Sequence, residues 1–315
     1  MSGYVTLERQ KVVPSGSLNS AKVPQGAVER AFPTATPEYR PRKTSSTILD
    51  DDMEMSFSGE AIEMSWFATP GWKAPSFLDE PDASRRGRVE THELESASLG
   101  KKHSVDVYLP AGYASGDEAL PVAYLHGGAA AKERAQLPRA LDNLVGQSVR
   151  PVIAVFISET PPLFGSPAPY AQMVVAELIP FIDSTYRTIP SAEGRASLGN
   201  GSLGFPALLC AFMQPGVIGK VATQSAFLFD FSMGALRPLI KNAEQQPLDV
   251  YMEWGSYDLR SLSEDWSMAE KNVDLVALLV ENGYAPAGGE VPDGTGWSSW
   301  TNRTDAVFET LFPVE

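Results

Sequence analysis

Cysteine occurs once in the 315 residues, as Cys210. An intramolecular disulfide and a cysteine-based metal cluster are therefore excluded. Histidine occurs three times, as His92, His103 and His126, and the scatter gives no ligand spacing for a metal. No metal and no cofactor is expected. No run of about 18 apolar residues is present, so no membrane-spanning helix is expected. The N-terminal stretch MSGYVTLERQKVVPSGS has neither an apolar run of signal-peptide length nor a small-residue cleavage site. Together with the lone cysteine, this gives the expectation of a cytoplasmic protein. Positive charge is also scarce: 25 Lys and Arg face 39 Asp and Glu, for a net charge of −14. An acidic chain repels phosphates, so no nucleic-acid partner is expected.

What the chain does have is apolar bulk. Hydrophobic residues make up 43%, enough for one large α/β domain or two ordinary ones. Residues 1–60 differ from the rest. They carry Pro14, Pro24, Pro33, Pro37 and Pro41, which suppress helices and favour extended or turn structure. Residues 1–50 have 7 basic and 4 acidic side chains, a net of +3 against −17 for the remainder. Tyr4, Val5, Leu7, Val12, Val13, Ile48 and Met53 are apolar anchors that a plain linker would not need. The reading is an extended basic arm steered by charge onto the acidic body of its own or a neighbouring subunit, with a homo-oligomer as the expected assembly. Residues 61–87 follow as an aromatic-rich packed segment holding Trp66, Phe67, Trp72 and Phe77.

From residue 88 the pattern becomes regular. Val89–Leu94 and His103–Leu109 alternate apolar and polar residues, which predicts two antiparallel strands. Val122–Leu125 and Val152–Ile157 are short apolar runs, the mark of buried parallel strands. Ala196–Leu198, Lys220–Thr223 and Val250–Glu253 are further strands. Helical spacing covers Leu137–Val145, Tyr170–Tyr186 (kinked at Pro180), Phe205–Met213, Asp265–Asn282 (ending at Gly283) and Ala306–Leu311. Strands alternating with helices predict a mostly parallel sheet covered on both faces over residues 88–315.

The stretch Arg195–Leu208, RASLGNGSLGFPAL, runs from a strand through a glycine turn into a helix. That is the setting of the nucleophile elbow, G-x-S-x-G. Here the chain resembles the esterase D and enterochelin esterase group of α/β-hydrolases. VDVYLPAGY (105–113) is similar to its opening strand and turn, and YLHGGAA (124–130) to its oxyanion loop. ELIPFIDSTYRT (177–188) resembles the helix before the nucleophile, and GSYD (255–258) the loop carrying the acid. ENGY (281–284) and GTGWSSW (294–300) resemble the end that carries the histidine. The resemblance spans roughly residues 85–315. It implies the α/β-hydrolase fold, with the N-terminal arm as an addition, and a pocket for small-molecule esters or acyl groups.

The catalytic residues of the family do not carry over with it. The nucleophile position falls on Gly201 and the histidine position on Thr295; the acid position is kept as Asp258. In this fold the triad order is nucleophile, acid, histidine, and no histidine follows position 126. The leading expectation is therefore an esterase-like protein without a working triad, used for binding or assembly. The alternative is an active ester hydrolase or acyltransferase with a shifted elbow, in which Ser202 is the nucleophile, helped by Asp258 and His126. An aspartate of ordinary pKa, about 4, is a weak base for a serine hydroxyl. Gly127 and Gly128 would supply the oxyanion loop, and Trp254, Tyr257 and Trp297 would line the pocket.

Overall fold

The computed structural model describes residues 4–8, 64–68, 72–161, 166–214, 216–242, 247–261 and 265–314. Most of the expected basic arm lies outside them. What is described of it is β1 (Tyr4–Glu8), paired antiparallel with β2 (Met64–Ala68) in a two-stranded ribbon.

The body is an eight-stranded sheet. Its strands are β3 (Arg88–Ser96), β4 (Lys101–Leu109), β5 (Val122–His126), β6 (Ile153–Ile157), β7 (Arg195–Asn200), β8 (Lys220–Gln224), β9 (Asp249–Gly255) and β12 (Ala287–Val291). Their order is β12-β9-β8-β7-β5-β6-β4-β3. The β3–β4 and β4–β6 pairs are antiparallel and the others parallel. A small hairpin, β10 (Arg260–Ser261) with β11 (Trp266–Ser267), follows β9.

Side-chain alternation explains why the central strands are apolar throughout. Val122 and Tyr124 of β5 enter one core, while Ala123 and Leu125 enter the other. In β6, Ile153, Val155 and Ile157 face the first core, and Ala154 and Phe156 the second. Both faces are covered, so a period of two is invisible as an apolar–polar alternation. The second face is covered by α1 (Gly128–Glu133), α2 (Leu137–Leu144) and α9 (Thr304–Leu311). The first is covered by α3 (Ala168–Gln172), α4 (Ile179–Thr185), α5 (Gly204–Met213), α6 (Asp230–Asn242) and α7 (Met268–Glu281). One short helix remains, α8 (Trp297–Trp300).

The segment before β3 packs on this body. Phe77 is buried in the second core. Asn143 Nδ2 on α2 donates to the carbonyls of Phe77 and Asp79 at 3.0 and 2.9 Å.

Two expectations change in detail. The break near Pro180 takes the form of a π-helical stretch, Met173–Leu178, between α3 and α4. Proline lacks an N–H and crowds the carbonyl four residues back, and a wider turn accommodates both. The helix expected from Asp265 begins at Met268, because Ser267 caps it: its Oγ accepts from the Glu270 N–H at 3.3 Å. Asp265 itself has φ +51, which no right-handed helix tolerates.

Candidate functional site

The turn after β7 decides which residue occupies the elbow. Gly201 has φ +55, and the 3₁₀ turn Gly201–Leu203 leads into α5. Ser202 is not in the left-handed region. The strained residue of the strand-to-helix turn is thus Gly201, with Ser202 one step into the helical entry. Glycine suits the tightness of this turn: a Cβ at Gly199 would lie 2.1 Å from the Leu203 carbonyl oxygen.

The space where a nucleophile would project is filled. A Cβ on Gly201 would come to 3.0 Å from Cη2 of Trp300, on α8. The Trp300 ring is buried, with Trp297 edge-on at 5.4 Å between ring centres. Trp300 Nε1 donates to Ser225 Oγ at 3.0 Å. Ser225 Oγ donates in turn to Asp258 Oδ1 at 3.1 Å. Thr295 Oγ1 donates to the same Oδ1 at 2.8 Å, and the Gly255 N–H donates to Oδ2 at 2.8 Å. Asp258 and Thr295 thus meet directly, and Trp300 and Ser225 link them to the turn at Gly201. Thr295 reaches the acid much as a histidine would, yet its hydroxyl is no base at neutral pH. Burial pushes the Asp258 carboxyl above its usual range, and its three hydrogen bonds oppose that shift. Ser225 has φ +50, a left-handed conformation costing about 1–3 kcal/mol in a non-glycine residue. Its N–H donates to the Glu253 carbonyl at 2.7 Å.

Below Trp300 lies a second network, anchored by Arg303. Its guanidinium donates to Glu253 Oε1 at 2.8 Å, Asp293 Oδ2 at 2.8 Å and Ser299 Oγ at 3.1 Å. Glu253 also accepts from Tyr251 OH at 2.6 Å and Gln224 Nε2 at 2.7 Å. Gln224 Nε2 reaches the Trp300 carbonyl as well, at 3.0 Å. A cavity of about 30 Å³ beside it is lined by Leu125, Leu198, Trp297, Trp300 and Thr301 among others. That is room for about two waters.

No histidine serves this site. His126 ends β5, with Nδ1 2.6 Å from Tyr170 OH and Nε2 2.8 Å from Ser197 Oγ. The Ser197 hydroxyl donates to the Ala207 carbonyl at 3.0 Å, so its oxygen accepts from His126 Nε2–H. Nδ1 then accepts from Tyr170. Both ring nitrogens are engaged, so neither can take a proton from Ser202. His92 and His103 lie on β3 and β4. These are the fourth and third strands from β7, roughly 14 Å or more away at the usual strand spacing.

Complete burial pushes His126 down to about 3. In the unfolded chain a histidine titrates near 6.5. The stabilisation from keeping it neutral is present above that value and is lost as pH falls from about 6.5 towards 3. From pH 7 to pH 5 the expected loss is about 2 kcal/mol. By NMR, the His126 ring protons should not titrate between pH 7.5 and pH 5; a midpoint near 6.5 would refute the assignment.

The remaining candidates are dispersed. Gly127, at φ +70, opens α1, and Gly128 presses on β6, where a Cβ would lie 2.4 Å from the Phe156 carbonyl carbon. Trp254 is buried, whereas Tyr257 is 58% exposed. Trp297 lines the small cavity.

A family model described as "Putative esterase" matches residues 96–283. The chain belongs to this esterase family. No curated protein matches the chain. Among solved structures, this esterase-family chain is similar to a ferulic acid esterase, at 19% identity and TM-score 0.62 over 72% of this chain and 98% of that one. The enterobactin esterase of Shigella flexneri aligns at 20% identity and TM-score 0.66 over 80% of this chain, which spans 65% of that esterase. An S-formylglutathione hydrolase from Staphylococcus aureus aligns at 14% identity and TM-score 0.53, over 73% of this chain and 99% of that one. These likenesses are of fold. Among the described residues no helix is long and apolar enough to cross a membrane, and no group of three or more His, Cys, Asp or Glu side chains could hold a metal ion.

Sequence reasoning missed Ser225, Trp300 as the occupant of the elbow, and Arg303. One signal was present: GTGWSSW brings Trp300 into the segment that carries the family's histidine position.

Proposed function

We propose that this member of the esterase family is a non-catalytic binding or assembly protein that keeps the hydrolase scaffold after losing its serine mechanism. The observation that carries this reading is the Trp300 ring at 3.0 Å from where a Cβ of residue 201 would stand. Nucleophilic catalysis needs a nucleophile, a base and a group that orients the base. Here glycine stands at the first position and threonine at the second. The third, Asp258, is taken up by Thr295, Ser225 and the Gly255 amide.

The test is labelling with a fluorophosphonate probe followed by peptide mapping, with a known active esterase alongside. No labelling of this chain is expected. Rapid modification at Ser202, abolished by Ser202→Ala, would overturn the reading and make the protein an ester hydrolase or acyltransferase with a rearranged site.

A further inference from the structure

The ribbon β1–β2 does not stand by itself: β1 lies against α8, the turn of helix that carries Trp300. An isolated two-stranded ribbon is marginal in water and persists only by packing on something. A one-turn helix is equally weak alone, because nucleation is costly and propagation has barely begun. Gly296, at φ +125, leads into α8, so the preceding backbone does not prolong the helix. Two marginal elements therefore stabilise each other, and the second is the one that fills the elbow.

We propose that β1 is this chain's own ligand for the outer side of α8, a strap that holds Trp300 over Gly201. When residues 4–8 are docked, α8 is pressed onto the end of β7 and the site stays shut. When they leave, α8 becomes a low-stability unit able to open without the rest of the domain. The occupant is the same chain, for a reason of magnitude. The 55 residues between Glu8 and Met64 tie β1 to its own β2. Random-coil scaling for 55 residues gives a span of about 40 Å and an effective concentration on the order of 1 mM. At micromolar protein, a strand from a second copy is outcompeted by roughly a thousandfold. The inference concerns closure alone, and it stands whether or not the site retains chemistry.

Hydrogen exchange on the full chain tests it, read in peptides covering 294–303. The variant Val5→Pro/Thr6→Pro removes two consecutive N–H groups of β1. Neighbouring strand residues point their N–H groups to opposite edges, so one of the two must face β2. The expected result is exchange at least tenfold faster in 294–303, with α5 and α7 unchanged, and wild-type protection equal at 1 and 100 µM protein. Unchanged exchange in 294–303 would overturn the proposal, as would an equal rise across α5 and α7. Wild-type protection that is lost on dilution would overturn it too, by making a second copy the occupant.

Discussion

Gly201→Ser alone should give no esterase. Adding Thr295→His should still give none. The triple variant Gly201→Ser/Thr295→His/Trp300→Leu should hydrolyse p-nitrophenyl acetate about 10²–10³-fold faster than the wild-type chain. The expectation follows from what each position faces. A serine at 201 would inherit the elbow's left-handed backbone, but its Cβ would press on Trp300. A histidine at 295 would enter beside Asp258, where Thr295 Oγ1 is already 2.8 Å from Oδ1, so the acid needed to orient a base is in place. Neither change makes room for a substrate while the tryptophan ring remains. General-base assistance alone is worth about 10²–10⁴-fold when geometry permits, and a site not refined for binding should reach the lower part of that range. A folded triple variant that is inert would show that more than the plug and two side chains was lost. Activity in Gly201→Ser by itself would show that Trp300 does not fill the site.

Stability separates the backbone from the contact in the same experiment. Gly100 has φ +67 with nothing near its missing Cβ, so Gly100→Ala should cost only the left-handed term, about 1–2 kcal/mol. Gly201→Ala should cost that amount and roughly 1 kcal/mol more, for displacing the Trp300 ring. Urea denaturation of both variants measures the difference. Equal losses would mean that the ring yields freely.

The parts of this molecule legible in the sequence are those written locally. Val122–Leu125 and Val152–Ile157 are apolar because both their faces are covered, and that alone marks them as central strands. The glycines at 199, 201 and 204 sit where a Cβ would strike neighbouring atoms or the backbone turns left-handed, so the elbow announces itself even without a serine. By contrast, β12 has Gly288 at φ +97 and Gly289 at φ +127, an irregular edge strand with no alternation to detect. Helix α6 carries Pro238 inside it and exposes Phe231, so its pattern misleads. The filling of the site was illegible for a different reason. Trp300 on α8, Ser225 after β8 and Asp258 after β9 come from three separate segments, and their chain of hydrogen bonds exists only once β8 and β9 are adjacent. The histidine count argues against a triad, but only the fold shows the Trp300 ring beside Gly201.

Arg303→Met should be the most damaging single substitution near the site, lowering stability by about 3–5 kcal/mol at pH 7. The guanidinium is four-fifths buried and is shared by Glu253 and Asp293, whose side chains are 1% and 4% exposed. Removing the cation leaves two carboxylates in the interior without their counter-charge, and that penalty usually exceeds what the pair contributed when intact. Asp293 sets the pH dependence. Burial already pushes its carboxyl up, while Arg303 pulls it down, so the variant should raise it further. A carboxyl whose folded pKa lies above its unfolded value favours the folded state more as pH falls through the folded pKa towards the unfolded one. The deficit of Arg303→Met should therefore shrink between pH 7 and pH 5, and Arg303→Met/Asp293→Asn should be more stable at pH 7 than the single variant. Urea denaturation at the two pH values checks both. A loss below about 1 kcal/mol, or a deficit independent of pH, would mean that water reaches the carboxylates and that Arg303 is no clamp. The consequence for the site is mechanical. Arg303 ties β9 through Glu253, and the loop before α8 through Asp293, to the turn directly after Trp300. The charge network thus reaches, through Ser299, the same four-residue helix that β1 lies against. Losing the ties of Arg303 loosens α8, so Arg303→Met should expose Trp297 and Trp300 to solvent quenchers well before the sheet unfolds.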